Sequence, residues 1–236
     1  MAIKFRGKRY QAASKLVPNQ PVTIEQAVPI IKQLKAAKFD ESVNLVVHLG
    51  IDAKQADQAV RGSVSLPKGI GKTKKVIAFV QGANEAAAKA AGAIEAGADD
   101  LIKKVSDGWL DFDVAIATPD MMPKITRLGK VLGPQGKMPS PKAGTVTTDV
   151  ANAVREYAAG KIEFRNDQGG NIHAAVGKVS FPEADLVANI HAFVDNIRRL
   201  KPATSKGVYI KKITVHSTMG PGIQIDVGHL SAAEAS

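Results

Sequence analysis

Cysteine is absent from all 236 residues. That excludes a disulfide framework, a thiol nucleophile and a Cys-ligated metal, and it suits a reducing cytoplasm. No run approaches the roughly 18 apolar residues that a membrane span needs, so no membrane partner is expected. The basic stretch from Met1 to Tyr10 has no apolar segment behind it and does not read as a signal peptide. Catalytic patterns are missing as well. The five histidines, His48, His173, His191, His216 and His229, show no H-E-x-x-H spacing. Ser217 beside His216 is a strand neighbour on the opposite face, not a catalytic dyad. Gly71-Lys72-Thr73 hints at a phosphate-binding loop, but the glycine such a loop requires at position 66 is Leu66. No G-x-G-x-x-G follows a strand, so a dinucleotide site has no support. Asp99-Asp100 and Asp111/Asp113 read as loop and helix ends rather than an acid/base pair. The expectation is no enzyme, no metal, no cofactor and no small-molecule substrate.

What is present is positive charge. Thirty-two Lys and Arg stand against 22 Asp and Glu, for a formal net charge of +10 and a pI near 9.7. Such an excess is the electrostatic footprint of a nucleic-acid binder, because neutralising phosphates releases counterions. Apolar content of 44% and charged content of 23% match a folded globular chain. Lys4, Arg6, Lys8 and Arg9, interleaved with Phe5 and Tyr10, suit either an arm laid on nucleic acid or the start of a helix.

Periodicity gives the organisation. Thr23 is placed to cap a helix to about Ala37, with Pro29 inside it predicting a kink or a late start. Ser42 to Leu49 alternates as a half-buried strand, and Gly62 to Leu66 reads as another. Pro67 to Lys75 is a Gly/Lys-rich hinge. Beyond it, strands at 76–80 and 112–117 alternate with helices at 83–96 and 121–128 and a short element at 100–102, which implies a small parallel sheet. Leu132 to Gly144 is a second loop, and a helix over 148–159 ends at Gly160. Antiparallel grammar then returns, with strands at 161–165, 172–181, 208–216 and 223–227. Between them lies a helix from Pro182 whose Leu186, Ile190, Phe193, Ile197 and Leu200 form one apolar stripe. Neither outer segment closes a core alone. The expectation is therefore a discontinuous α+β domain from 1–67 and 160–229, an inserted α/β domain over 68–159, and a disordered tail over 230–236. Pro67, Gly69, Gly71 and Gly160 would be hinge residues for two chain crossings. The outer segments, counted to Ser236, carry +7 and the insert +3, so nucleic acid should prefer the former.

Four stretches carry a resemblance that composition does not give. They are Lys38-Phe39-Asp40-Glu41-Ser42 with Leu49-Gly50-Ile51-Asp52 and Val60-Arg61-Gly62; Leu132 to Pro139; Arg165-Asn166-Asp167 with Gly170-Asn171-Ile172-His173 and Gly177-Lys178-Val179; and Ser217-Thr218-Met219-Gly220-Pro221-Gly222. In this order, from about residue 5 to 228, the chain closely resembles the bacterial large-subunit ribosomal protein of the L-one family. The resemblance implies a split α+β domain with an inserted Rossmann-like α/β domain. It implies a protein of the cytoplasmic ribosome that binds large-subunit rRNA to form the mobile stalk by the tRNA exit site, touches exit-site tRNA, and represses translation by binding its own mRNA. It points to Lys38, Phe39, Glu41, Ser42, Arg165, Asp167, His173, Ser217, Thr218, Met219 and Gly220 as RNA-binding residues. The chain departs from the family mildly at Gln135, Lys137 and Ser140, and over Gly228 to Ser236.

From the residues themselves, Lys212, Thr214 and His216 share one strand face, while Lys211, Ile213 and Val215 share the other. Gly220 and Gly222 would let backbone approach a sugar-phosphate surface, Thr218 would offer a hydroxyl to a 2′-OH or base edge, and Met219 a pliable apolar surface. Met219 reads alternatively as a plug under the hairpin, Phe39 as a core aromatic, and Leu132 to Pro139 as a structural loop. Asp167 and His173 also fit plain turn formation and strand exposure. The competing functions are a small α/β enzyme and a non-ribosomal RNA chaperone.

Overall fold

The computed structural model describes residues 7–34, 37–55 and 57–228. The expected tail over 230–236 and, of the candidate arm from Lys4 to Tyr10, the part up to residue 6 lie outside the described residues. The chain is mixed α/β and separates by contacts into two units: Met1–Val60, Leu66–Gly71 and Phe164–Ser236 form one, Arg61–Ser65 and Lys72–Glu163 the other.

The first unit is built on a four-stranded antiparallel sheet. β1 (Ser42–Leu49) lies between β7 (Asn171–Lys178) and β8 (Ile210–Ser217), and β9 (Ile223–Ile225) is the far edge. The alternation in β1 does what its period demands: Val43, Leu45, Val47 and Leu49 are buried, while Ser42, Asn44, Val46 and His48 face outward. Two helices line the buried face. In α2 (Ile24–Gln33) Ile24, Ala27, Val28 and Ile31 point inward, and the helix runs through Pro29. In α8 (Glu183–Arg199) Leu186, Ile190, Phe193 and Ile197 are buried as the stripe requires, whereas Leu200 falls on the C-cap and is exposed. α8 has Glu183 and Asp185 in its first turn and Arg198 and Arg199 in its last, matching the helix dipole. The basic N-terminal stretch becomes helical at α1 (Lys8–Lys15).

The second unit holds β3 (Val76–Phe79) between β4 (Glu95–Gly97) and β5 (Val114–Ala117), all parallel. Val76, Ala78, Val80 and Ile116 pack on one face against Ala88 of α3 (Ala83–Ala90) and Val154 and Tyr157 of α7 (Val150–Ala158). Ile77, Phe79, Ala115 and Ala117 pack on the other with Leu101 and Val105 of α4 (Asp99–Ser106) and with Met121, Ile125, Leu128 and Leu132. Cover on both faces explains why these strands are continuously apolar.

Several boundaries differ from the sequence expectation. The helix expected to reach Ala96 stops at Ala90, because Gly92 adopts φ 107° and redirects the chain into β4. The helix expected over 121–128 is a series of single turns, including α5 (Met122–Ile125) and α6 (Gly129–Leu132), that starts at Pro119. The helix expected over 148–159 starts at Val150, and Asp149 caps it by accepting the Asn152 N–H at 3.2 Å. β2 (Arg61–Val64) pairs with β6 (Ile162–Arg165), and β2 packs on the turn at Pro141–Ala143, so 61–65 group with the insert. The unit boundaries consequently fall after Val60, Ser65, Gly71 and Glu163, not at 67/68 and 159/160, and the chain crosses four times rather than twice.

The expected hinge segment is partly fastened. Asn189 of α8 is fully buried; its amide donates to the Gly69 carbonyl at 2.9 Å and the Val176 carbonyl at 2.8 Å, and its oxygen accepts the Lys68 N–H at 3.1 Å. Lys68 also pairs with Asp185 at 3.2 Å. Pro67 and Gly69 thus belong to the first unit, and the step to the second follows Gly71. Gly160 ends α7 with φ 112°, three residues before the last crossing.

Candidate nucleic-acid interface

β1 begins where β8 ends, and at this end of the sheet the two loops that flank them are joined by side chains. Thr218, one residue past β8, accepts the Ser42 N–H at 3.1 Å on its hydroxyl and donates to the Ser42 carbonyl at 3.3 Å. The side chain therefore continues the β1/β8 ladder by one rung. Its hydroxyl is not a wholly open offer to RNA, as the sequence reading had it: the proton and one lone pair are in use, leaving one acceptor site.

Glu41 is the second tie. Its carboxylate is 1% exposed; one oxygen accepts the Met219 N–H at 3.0 Å and the other the Ala37 N–H at 3.3 Å. A buried charge is tolerable only when its lone pairs are met, and here they are met by the backbones of both loops. Asp40 anchors the same loop by accepting the Ser180 N–H at 3.2 Å and hydroxyl at 2.8 Å. The Lys178 ammonium donates to the Ser42 hydroxyl at 2.9 Å. The result is that Phe39 and Met219, at 53% and 51% exposure, stand out from loops whose backbones are held, with Lys38 exposed beside them. Neither Phe39 as core aromatic nor Met219 as buried plug fits that exposure.

Two expected contact residues are inside. Glu41 is a positioning group, not a contact, and Ser217 is 2% exposed with a buried hydroxyl that has no hydrogen-bond partner. The glycines are also needed for a different reason. A Cβ on Gly220 would lie 2.5 Å from the Ser217 Oγ, and one on Gly222 2.8 Å from the Thr214 Cγ2. Internal packing alone thus disfavours a side chain at either position.

Arg165, Asp167 and His173 are not gathered at this end. Ser42 pairs with Lys178, whereas His48 pairs with Asn171, so the Asp167 turn sits at the opposite end of β1, about 20 Å away at the strand rise. Asp167 is occupied by its turn: it accepts N–H groups from Gly169 at 2.8 Å and Asn171 at 2.7 Å. These, with the Asn171 side chain and His173 at 3.5 Å, hold its carboxyl below the ordinary range. Arg165 is exposed at the end of β6, and His173 is exposed on β7. The face assignment on β8 holds for Lys212, Thr214 and His216. It fails for Lys211, which is exposed because a register shift between His48 and Leu49 bulges it out. The Leu132 to Pro139 loop is tied down inside the second unit: Leu132 is buried and Lys137 donates to the Leu110 carbonyl at 2.9 Å.

Sequence reasoning missed Asp40, Lys178 and Asn171 as supporting residues. Asp40, Glu41 and Ser42 are adjacent, which signals a cap; which partner each takes depends on pairings 136 to 178 residues apart. Among the described residues no cluster of His, Asp and Glu is arranged to hold a metal, and no helix is long and apolar enough to cross a membrane.

Comparison with known proteins matches residues 31–221 to the ribosomal protein L1p/L10e family. The large ribosomal subunit protein uL1 of Kosmotoga olearia is 52% identical over 222 residues, covering 94% of this chain and 96% of that protein. With most of the chain matched and its motifs set in one fold, the chain belongs to the ribosomal protein L1p/L10e family.

Proposed function

We propose that this chain is a structural, non-catalytic constituent of the large ribosomal subunit in the cytoplasm, and that its first unit binds large-subunit rRNA through the Phe39–Met219 end of the sheet. One observation carries this reading: two large apolar side chains, each more than half exposed, project from loops that Glu41 and Thr218 hold rigid. Exposed apolar groups on a held backbone suit an unstacked base or ribose, with Lys38 for phosphate. In the same proposal the bound rRNA element forms the mobile stalk by the tRNA exit site, with contact to exit-site tRNA, and a like structure on the protein's own mRNA makes it a translational repressor. The second unit is a Rossmann-like insert, and Gly71 and Gly160 flank the steps at which the two units would pivot.

The test is filter binding of the full chain, at fixed salt, to a panel of large-subunit rRNA fragments and to its own mRNA leader. One fragment should be preferred, the leader should compete for it, Phe39→Ala should weaken binding by about 1–3 kcal/mol, the usual cost of losing an aromatic ring stacked on a base, and Met219→Ala should weaken it as well. Equal binding to every fragment, or affinity unmoved by both variants, refutes the proposal.

A further inference from the structure

The absence of cysteine leaves thioether sulfur as the most readily oxidised group in the chain, and the methionines are not equally placed. Met121 is 1% exposed, and Met122 and Met138 are half-buried against the core of the second unit. Met219 is 51% exposed, so among the described residues it is the one methionine that stands open. Its neighbours give it no cover. Gly220 has no side chain, and the Thr218 hydroxyl is turned to Ser42. The backbone beneath it is nonetheless fixed, because the Met219 N–H donates to the buried Glu41 carboxylate at 3.0 Å.

Hydrogen peroxide reaching the Sδ transfers one oxygen atom. A sulfur lone pair attacks the peroxide, the S–O bond forms as the O–O bond breaks, sulfur loses two electrons and the peroxide leaves as water. Two thiols reverse the step, leaving as a disulfide with a second water. The sulfoxide carries an acceptor oxygen and no donor, on a side chain that was apolar. RNA phosphate oxygens are acceptors too, and a base face or ribose carbon gives the new oxygen nothing to bond, so burying it against RNA is unfavourable. The change is confined to the tip of the side chain. The bond to Glu41 is made by the Met219 backbone, and the Sδ takes no part in it. The loop thus loses its apolar contact without losing its fold.

We propose that Met219 is a reversible oxidation site, at which conversion to methionine sulfoxide by a peroxide weakens RNA binding and thiol-dependent methionine sulfoxide reduction restores it. The proposal rests on the Phe39–Met219 end being the rRNA contact. The test treats the full chain with hydrogen peroxide and follows oxygen gain by peptide mass, since trypsin leaves Met219, Met138 and the Met121–Met122 pair in separate peptides. Met219 should be oxidised first, and more slowly with the preferred rRNA fragment bound. Affinity for that fragment should fall about tenfold, the scale of losing one buried apolar side chain, while the midpoint of urea unfolding is unchanged. The two methionine sulfoxide reductases, one for each sulfoxide epimer, should bring the affinity back when supplied with a thiol. Met219→Leu, whatever its own affinity, should lose nothing further on treatment. Met219 oxidised no faster than Met121, or an equal loss of affinity from treated Met219→Leu, overturns the proposal. Full oxidation with affinity unmoved overturns it as well. If Phe39→Ala still weakens binding in that case, the rRNA contact survives and the switch alone fails; if it does not, both fail.

Discussion

Thr218 shows how far a side chain's partners can change its meaning. Met219 beside it is exposed, so the pair reads as a contact strip, but the Thr218 hydroxyl spends its proton on the Ser42 carbonyl and accepts the Ser42 N–H. It is first a brace between β1 and β8. Thr218→Ser keeps the hydroxyl and should bind rRNA like the wild type. Thr218→Val, nearly isosteric, removes both bonds and should cost about 1–2 kcal/mol of stability, with a parallel loss of RNA affinity because the Met219 loop is released. Urea unfolding and filter binding on the two variants check it; loss of affinity in Thr218→Ser as well would mean that the methyl group, not the brace, matters. Glu41 is the same lesson with a charge. The family resemblance pointed to it as an RNA contact, and only long-range pairing shows it buried beneath the loop it was expected to share.

At the scale of elements, the legible parts were those whose signal is local. The period-two pattern of β1 and the i, i+3, i+4 stripe of α8 placed both and named their buried faces. Local signal failed where one residue reversed a trend: Gly92 ended an alanine-rich helix whose propensity continued to Ala96, and a bulge turned Lys211 out of an alternation that put it in. The hairpin between β8 and β9 gives the sharpest case. Gly220 is not in the left-handed region, so alanine is conformationally allowed there, yet its Cβ would lie 2.5 Å from the Ser217 Oγ. That Oγ is buried without a partner, and with it gone the nearest atom would be the Ser217 Cβ at an ordinary 3.6 Å. Gly220→Ala alone should destabilise by about 1–3 kcal/mol through overpacking. Ser217→Ala should be near neutral or stabilising, since it removes an unsatisfied polar atom. The double variant should recover most of the loss, a favourable coupling readable from a double-mutant cycle in urea. Additive effects would mean that the strain lies elsewhere in the turn.

For the whole molecule, the two units have separate interiors, and the charge is unequally shared: 18 Lys and Arg against 11 Asp and Glu in the first, 14 against 11 in the second. Separate cores joined by four strand and loop crossings should unfold in two calorimetric steps, with a calorimetric enthalpy above the van't Hoff value. Glu163 offers a way to assign them. It is the last residue of the second unit, and burial pushes its carboxyl above the ordinary 4.5 despite the pull of Arg61 and Lys74. One of its oxygens is buried without a hydrogen-bond partner. Lys74, pushed below its ordinary value by burial, donates instead to the Lys161 carbonyl at 2.7 Å. A folded-state value raised above the unfolded one means that the native state keeps its proton longer. This group's contribution is therefore full below about pH 4.5 and is lost as pH rises through the folded value. Glu163→Gln removes the loss. At pH 7.5 it should raise the midpoint of one transition only, that of the second unit, and the gap from wild type should close as the scans are repeated towards pH 4. A rise in both transitions would show that the β2–β6 ribbon couples the units, and a fall at pH 7.5 would show that attraction to Arg61 and Lys74 outweighs burial.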